Sequence, residues 1–295
     1  MERTRMPVRP IDHLVLPVTD IATARARLAR LGFTVAADAR HPFGTENACV
    51  FFADKTYLEP LGVASEEEAS ASAKSGNQFV ARDAAFRFRN GPEGLSAIVM
   101  GTDDADADHA IFKAEGISAG DQLTFSRVMK FPDGSEITPS FKLSFAADLR
   151  APDFFAFTCQ RINMPSSDRS ALEKHANGVI GIRTVVLSEQ EPLDFSAYLQ
   201  AVTGQENVAD DLDVLVVKSA NTDIMVFDPL ELRLLFGLSM SAERGLRGEA
   251  VVFKVSDIRV TERVLVEAGI LHLKSRSMIV VPHEPGQGVL FAFSE

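Results

Sequence analysis

The sequence predicts an α+β fold made of four βαβββ units, and three observations carry that expectation. One phrase recurs four times along the 295 residues: an apolar strand, a Ser/Thr-Asp/Glu step, an amphipathic helix, then a glycine followed by short β-type runs. The intervals from acid to glycine, Asp20 to Gly32, Asp103 to Gly116, Glu189 to Gly204 and Asp257 to Gly269, each span about three helical turns. The composition, 46% hydrophobic and 24% charged with 19 Gly and 14 Pro, belongs to a globular chain and excludes collagen-like or low-complexity sequence.

The first unit opens with His13-Leu14-Val15-Leu16-Pro17-Val18-Thr19-Asp20, continues through Ala24, Leu28 and Leu31 at helical spacing, and stops at Gly32-Phe33. Short strands over Asn47–Phe52 and Thr56–Leu61 follow, with a turn at Asp54-Lys55. The second unit uses Ala97–Met100, Thr102-Asp103 and Gly116-Ile117. The third uses Ile182–Leu187, Ser188-Glu189 and Gly204, and the fourth uses Ala250–Phe253, Ser256-Asp257 and Gly269-Ile270. In each, the short polar step caps the helix by satisfying its free amides, and the glycine supplies the left-handed residue that releases the chain into the next strand. Ser65–Ser72 is an acidic connector or short helix between units one and two. Asp103–Asp108 is an acid-rich helix start, because it lacks the glycine and distal glutamate of a calcium loop. The polar stretch from Asn163 to Asn177 suggests an organisation of 1–163, a linker 164–177, and 178–295.

Forty-one acidic against 30 basic residues give a net charge of −11, which repels phosphate backbones, so nucleic acid is not an expected partner. No uncharged apolar run of membrane-spanning length and no signal-type apolar segment occurs, so a cytoplasmic protein without a membrane partner is expected. Cys49 and Cys159 lie in apolar strand-like sequence and read as buried free thiols. Twenty-one Phe against two Tyr and no Trp point to a core or cavity lined with rings that carry no hydrogen-bonding handle. Gly286-Gln287-Gly288 lacks the strand-turn-helix context of a nucleotide cradle, and no Gly-x-Ser-x-Gly or His-Glu-x-x-His motif is present.

Ile11-Asp12-His13-Leu14-Val15, His41-Pro42-Phe43-Gly44-Thr45-Glu46-Asn47 and Tyr57-Leu58-Glu59-Pro60-Leu61, within paired βαβββ units, resemble the vicinal oxygen chelate superfamily and its glyoxalase-like domain proteins. Phe154–Gln160 and His175-Ala176-Asn177-Gly178 resemble the close of that domain. The resemblance implies two half-barrel mixed-sheet domains. It also implies a divalent metal (Zn, Fe, Mn or Ni) that binds a small-molecule substrate through adjacent oxygens. Strand alternation independently places His13, Val15 and Pro17 on one face, and Tyr57, Glu59 and Leu61 on one face. An acid among apolar neighbours, as Glu59 is, needs a partner or a cation.

His13 and Glu59 are therefore the expected catalytic residues and metal ligands, with Gln160 as a further ligand. His41, Thr45, Asn47, Gln160 and His175 are the expected substrate-binding residues. The family pattern takes another ligand from the partner unit, yet seven residues before each acid only the first copy has histidine; the others have Ser96, Ile182 and Ala250. The site thus belongs to the N-terminal half, and the C-terminal half is expected to hold no metal. The leading expectation is a metal-dependent isomerase or lyase acting on a small α-oxygenated carbonyl compound. The alternatives are a non-catalytic binding or sequestration protein of the same fold and an extradiol-type dioxygenase. A homodimer is a further possibility.

Overall fold

The computed structural model describes residues 7–130, 136–164, 168–211 and 214–295, so 165–167 of the expected linker lie outside the described residues. The first unit comprises β1 (Ile11–Pro17), α1 (Ile21–Arg30), β2 (Ala39–Arg40), β3 (Thr45–Asn47), β4 (Val50–Phe51) and β5 (Tyr57–Val63). After a helical pair, α2 (Glu66–Lys74) and α3 (Gln78–Asn90), the second unit runs through β6 (Ala97–Gly101), α4 (Ala105–Ala114), β7 (Leu123–Ser126), a small hairpin of β8 (Met129–Lys130) and β9 (Glu136–Ile137), β10 (Ser140–Ala146) and β11 (Phe155–Ile162). The third has β12 (Val179–Ser188), α5 (Ser196–Thr203), β13 (Ala209–Asp211), β14 (Val214–Lys218) and β15 (Asp223–Phe227). Helix α6 (Pro229–Phe236) leads to the fourth: β16 (Arg247–Val255), α7 (Ile258–Glu267), β17 (Leu273–Ser275), β18 (Met278–Val281) and β19 (Leu290–Ser294).

Two curled mixed sheets result, each from two units. The first has strand order β2-β3-β5-β1-β6-β11-β10-β7, with β4 also on β5, and the second has β13-β14-β15-β12-β16-β19-β18-β17. In both, the leading strands of two units meet antiparallel at the centre, β1 on β6 and β12 on β16, and each has its own unit's last strand parallel on its other side. Asp20, Asp104 and Asp257 cap α1, α4 and α7, so in the second unit the cap lies one residue beyond Asp103. The third unit departs further: Glu189 does not cap a helix, and a 3-10 turn at Pro192–Phe195 precedes α5, which explains the longer interval to Gly204. All four repeat glycines adopt positive φ. At Gly32 a Cβ would also lie 2.8 Å from Val264 and 2.9 Å from Asn177, so the turn requires glycine twice over.

The helix-covered faces of the two sheets share one apolar core. It joins Leu14, Leu16 and Ile98 with Leu28, Phe112, Leu199 and Leu265 from the helices and with Val185, Val251, Phe253, Phe291 and Phe293 of the second sheet. Polar ties reinforce the junction. The Arg27 guanidinium donates to Gln287 at 3.0 and 2.8 Å and pairs with Glu284 at 2.7 Å. The Gly286-Gln287-Gly288 turn is therefore a structural brace, seated so tightly under α1 that a Cβ on Gly286 would lie 2.7 Å from the Thr23 carbonyl oxygen.

Glu93 holds the same junction, accepting from the Gly286 amide at 2.8 Å, the Thr19 hydroxyl at 3.0 Å and His283 at 3.1 Å. Burial opposes its ionised form, but these hydrogen bonds outweigh it and hold the carboxyl at about 2. A group depressed on folding contributes stability above its unfolded value and loses it as pH falls toward the folded value. Glu93→Gln is expected to lower stability by about 1–2 kcal/mol at neutral pH. The gap from the parent should close between about pH 4.5 and pH 2, as thermal melts across that range will show.

Candidate functional site

β1 and β5 run parallel with His13 opposite Tyr57 and Val15 opposite Glu59, so alternation aims the imidazole and the carboxylate at the same open side of the sheet. There His13 Nε2 lies 3.2 Å from Glu59 Oε2. The register of β1 against β6 shifts between Ile11 and His13, and this irregularity lets two consecutive side chains reach one site. The Asp12 carboxylate meets His13 Nδ1 at 2.8 Å and accepts from Arg161 at 2.7 Å. The His13 ring stacks on Tyr57 at 4.3 Å and meets the edge of Phe157 at 6.0 Å.

The tight turn before β3 supplies the rest. His41 N–H donates to the Thr45 carbonyl at 2.8 Å, which folds the ring back so that Nδ1 meets the Thr45 hydroxyl at 2.9 Å. His41 Nε2 then lies 3.6 Å from Glu59 Oε1, and the Asn47 amide donates to the same oxygen at 2.5 Å. These groups border a cavity of about 40 Å³ walled by Phe43, Phe79, Phe125, Phe141 and Phe157, with Cys49, Cys159 and Arg127 completing it. Phe79 comes from α3, so the connector between units closes the cup. In the second sheet the equivalent connector, α6, fills its cup with Leu232 and Phe236 packed on Val186, Val252 and Leu290.

Burial alone would discharge His13, yet hydrogen bonds to Asp12 and Glu59 and their negative charges raise its pKa overall. Burial likewise opposes Glu59 ionisation, but the His13 hydrogen bond, the neighbouring imidazoles and Asn47 hold it at about 2. His41 behaves oppositely: burial pushes it down to about 4 despite the pull of Glu59, so it is a neutral ring. The site therefore favours the protonated form of His13 between two carboxylates, beside a neutral histidine.

Of the residues expected from sequence, His13, Glu59, His41 and Asn47 converge on the cavity, with Thr45 behind His41. Gln160 and His175 lie elsewhere. Cys159 takes the cavity-facing phase of β11, so Gln160 points to the helix side. There its carbonyl oxygen accepts from the Ala105 amide and its NH₂ donates to the Asp103 carbonyl. His175 accepts from the Thr34 amide at Nδ1 and donates from Nε2 to the Phe51 carbonyl, wedged against Phe33 and Phe52 at the shared core. Asp12, Tyr57 and Arg127 were missed as site residues. The Phe excess was the only compositional signal for the aromatic wall.

The counting that put Ser96 opposite His13 is off by one, since the true cap is Asp104. β1 and β6 pair around Leu14 and Ile98, each six residues before its helix cap, so the local two-fold sets Ala97 where His13 stands. Their parallel partners, Leu58 and Ala156, set Phe157 where Glu59 stands. Among the described residues no group of three or more His, Cys, Asp or Glu side chains is arranged to hold a metal ion. With Gln160 turned away and the mirror positions apolar, the donors left at the cavity are His13, Glu59 and His41, and these described side chains are not arranged as the three-ligand set that a resident transition metal takes in catalytic sites.

The cup sets a few polar groups in an aromatic wall, the general character of pockets that take small molecules. Residues 11–203 match the glyoxalase-like domain family, and the chain belongs to it. No curated protein matches the sequence. Among solved structures the fold is similar to a hypothetical protein from Staphylococcus aureus (TM-score 0.65, 13% identity, covering 97% of this chain and 99% of that one). It is also similar to a mutant 4-hydroxymandelate synthase from Streptomyces coelicolor (0.62, 13%, 98% and 92%). A third likeness is the Mn(II)-bound glyoxalase from Novosphingobium aromaticivorans (0.54, 13%, 97% and 82%). Identities this low establish a shared fold, not a shared reaction. Among the described residues no helix is long and apolar enough to cross a membrane.

Proposed function

We propose that this protein is an isomerase or lyase that moves a proton at the carbon next to the carbonyl of a small α-oxygenated compound. The observation that carries this reading is the line Asp12–His13–Glu59, carboxylate, imidazole and carboxylate in hydrogen-bond contact, with His13 and Glu59 facing a cup walled by phenylalanines. The Glu59 carboxylate takes the proton from carbon, the C–H electrons move toward the carbonyl carbon, and the His13 N–H gives a proton to the carbonyl oxygen as the enediol forms. Return of a proton to the neighbouring carbon completes an isomerisation; expulsion of a leaving group completes an elimination. Asp12 orients the ring and compensates its charge, and the aromatic wall excludes water so that both charges act at short range.

Deuterium uptake at the α-carbon of 2-hydroxy ketones and 2-hydroxy aldehydes, followed by NMR, tests this. Exchange by the parent that is lost in His13→Ala and unchanged by chelator supports the proposal. Near-stoichiometric metal in the parent, lost together with exchange in His13→Ala, returns the site to metal chemistry. Tight binding of a panel member without exchange supports the sequestration reading, which the apolar mirror positions Ala97 and Phe157 favour.

A further inference from the structure

The charges around the cavity close without one of its members. Asp12 and Glu59 are matched by His13 and Arg161, the latter held on Asp12 at 2.7 Å. Arg127 stands outside this balance. Among the described residues it is the only arginine or lysine lining the cavity, and its guanidinium lies 5.5 Å from the centre of the Phe141 ring. Its Nε and one terminal nitrogen are buried and find no hydrogen-bond acceptor. A guanidinium keeps its charge under all ordinary conditions, and buried N–H groups without acceptors are unfavourable by an amount that a ligand can recover. The remaining lining beside it, Phe43, Phe79, Phe125 and Phe141, offers no oxygen to it.

We infer that Arg127 is a specificity-determining residue that receives the carboxylate of the ligand, so the compounds this cup accepts are small organic monoanions with an apolar body. The inference rests on the proposed small-molecule site and deepens it: the carboxylate lies at Arg127, the apolar body against the phenylalanines, and the reacting carbon toward Glu59 and His13. A single negative charge neutralises the one positive charge that the site leaves unmatched, whereas a dianion would overcompensate it. Arg161 also lies near the site, but it is already engaged by Asp12 and is not available for this role.

Calorimetric titration with two matched pairs, isovalerate against isovaleramide and phenylacetate against phenylacetamide, tests the assignment without needing turnover. The parent is expected to bind at least one carboxylate roughly ten- to hundredfold more tightly than its amide, the range of a charge-assisted hydrogen bond. Arg127→Gln should bring acid and amide level, and Arg127→Lys, which keeps the charge, should retain the preference. Glu59→Gln should retain it too, so that a failed catalytic reading and a failed anion reading give different results. Equal binding of acid and amide by the parent, a preference that survives in Arg127→Gln, or no carboxylate binding tighter than about 10 mM overturns the proposal. Inorganic phosphate that competes as well as the carboxylates overturns it in favour of phosphate esters.

Discussion

Glu59→Gln is expected to reduce α-proton exchange by roughly a hundred- to ten-thousandfold, the usual contribution of a positioned general base. The substitution is nearly isosteric, and the geometry indicates how the fold tolerates it. The Gln carbonyl oxygen can still accept from Asn47, which now donates at 2.5 Å, while its NH₂ faces His13 Nε2. His13 then becomes a neutral ring protonated at Nδ1, donating to Asp12 and accepting at Nε2, with no buried charge left unpaired. Both reactive features disappear at once: the carboxylate that takes the proton and the imidazolium that gives one. Initial rates of deuterium uptake by parent and variant, with thermal melts to show that both are folded, give the comparison. A variant that exchanges at the parental rate removes Glu59 from the chemistry. Glu59→Ala is a poorer probe, because truncating one partner of a buried ion pair destabilises by about 3–5 kcal/mol and confounds activity with folding.

The second large effect concerns the junction between the sheets. Phe253 is fully buried on β16, with its ring 5.0 Å from Phe291 and 5.5 Å from Phe293 of its own sheet. It also lies 5.3 Å from Phe33 and 5.6 Å from Phe52 of the N-terminal half. Phe253→Ala should cost about 3–5 kcal/mol, transfer loss plus the cavity left among rings that cannot all collapse inward. That corresponds to a fall in melting temperature on the order of 10 °C. Because the deleted ring belongs to a core common to both sheets, the protein should still unfold in one transition, with the two halves losing protection from hydrogen exchange together. Separate transitions would show that the halves are thermodynamically independent.

Much of the scaffold was legible because its signals are local. Strand alternation around His13 and around Glu59 is set by two residues at a time, and helix caps and left-handed glycines act within a turn, so the βαβββ echo survived in linear form. The same locality explains the errors. Asp103 and Asp104 are equally good caps on paper, and choosing the first displaced the mirror position of His13 from Ala97 to Ser96. Gln160 failed by one step of strand phase, which Cys159 occupies instead. His175 failed because nothing near it in sequence reveals that the chain passes on the helix side, where Thr34 and Phe51 claim both ring nitrogens. Ser65–Ser72 reads as an acidic connector or short helix, and α2 is that helix, but nothing in it announces α3, whose Phe79 lines the cavity.

What the amino-acid order determined by itself is the repeat, its glycine turns, the caps of the first and fourth units, and the strand phases that set His13 and Glu59 each on one face of its strand, since each depends on neighbours within a few bonds or one strand period. Tertiary structure alone decided the rest. It brought Asp12 and Arg161 to either side of one hydrogen bond, turned Gln160 and His175 away, left two buried nitrogens of Arg127 without an acceptor beside an aromatic wall, and fused the two helix-covered faces into one core. These outcomes turn on strand register, a single bulge and long-range packing, where a shift of one residue exchanges inside for outside, and no local pattern carries that information.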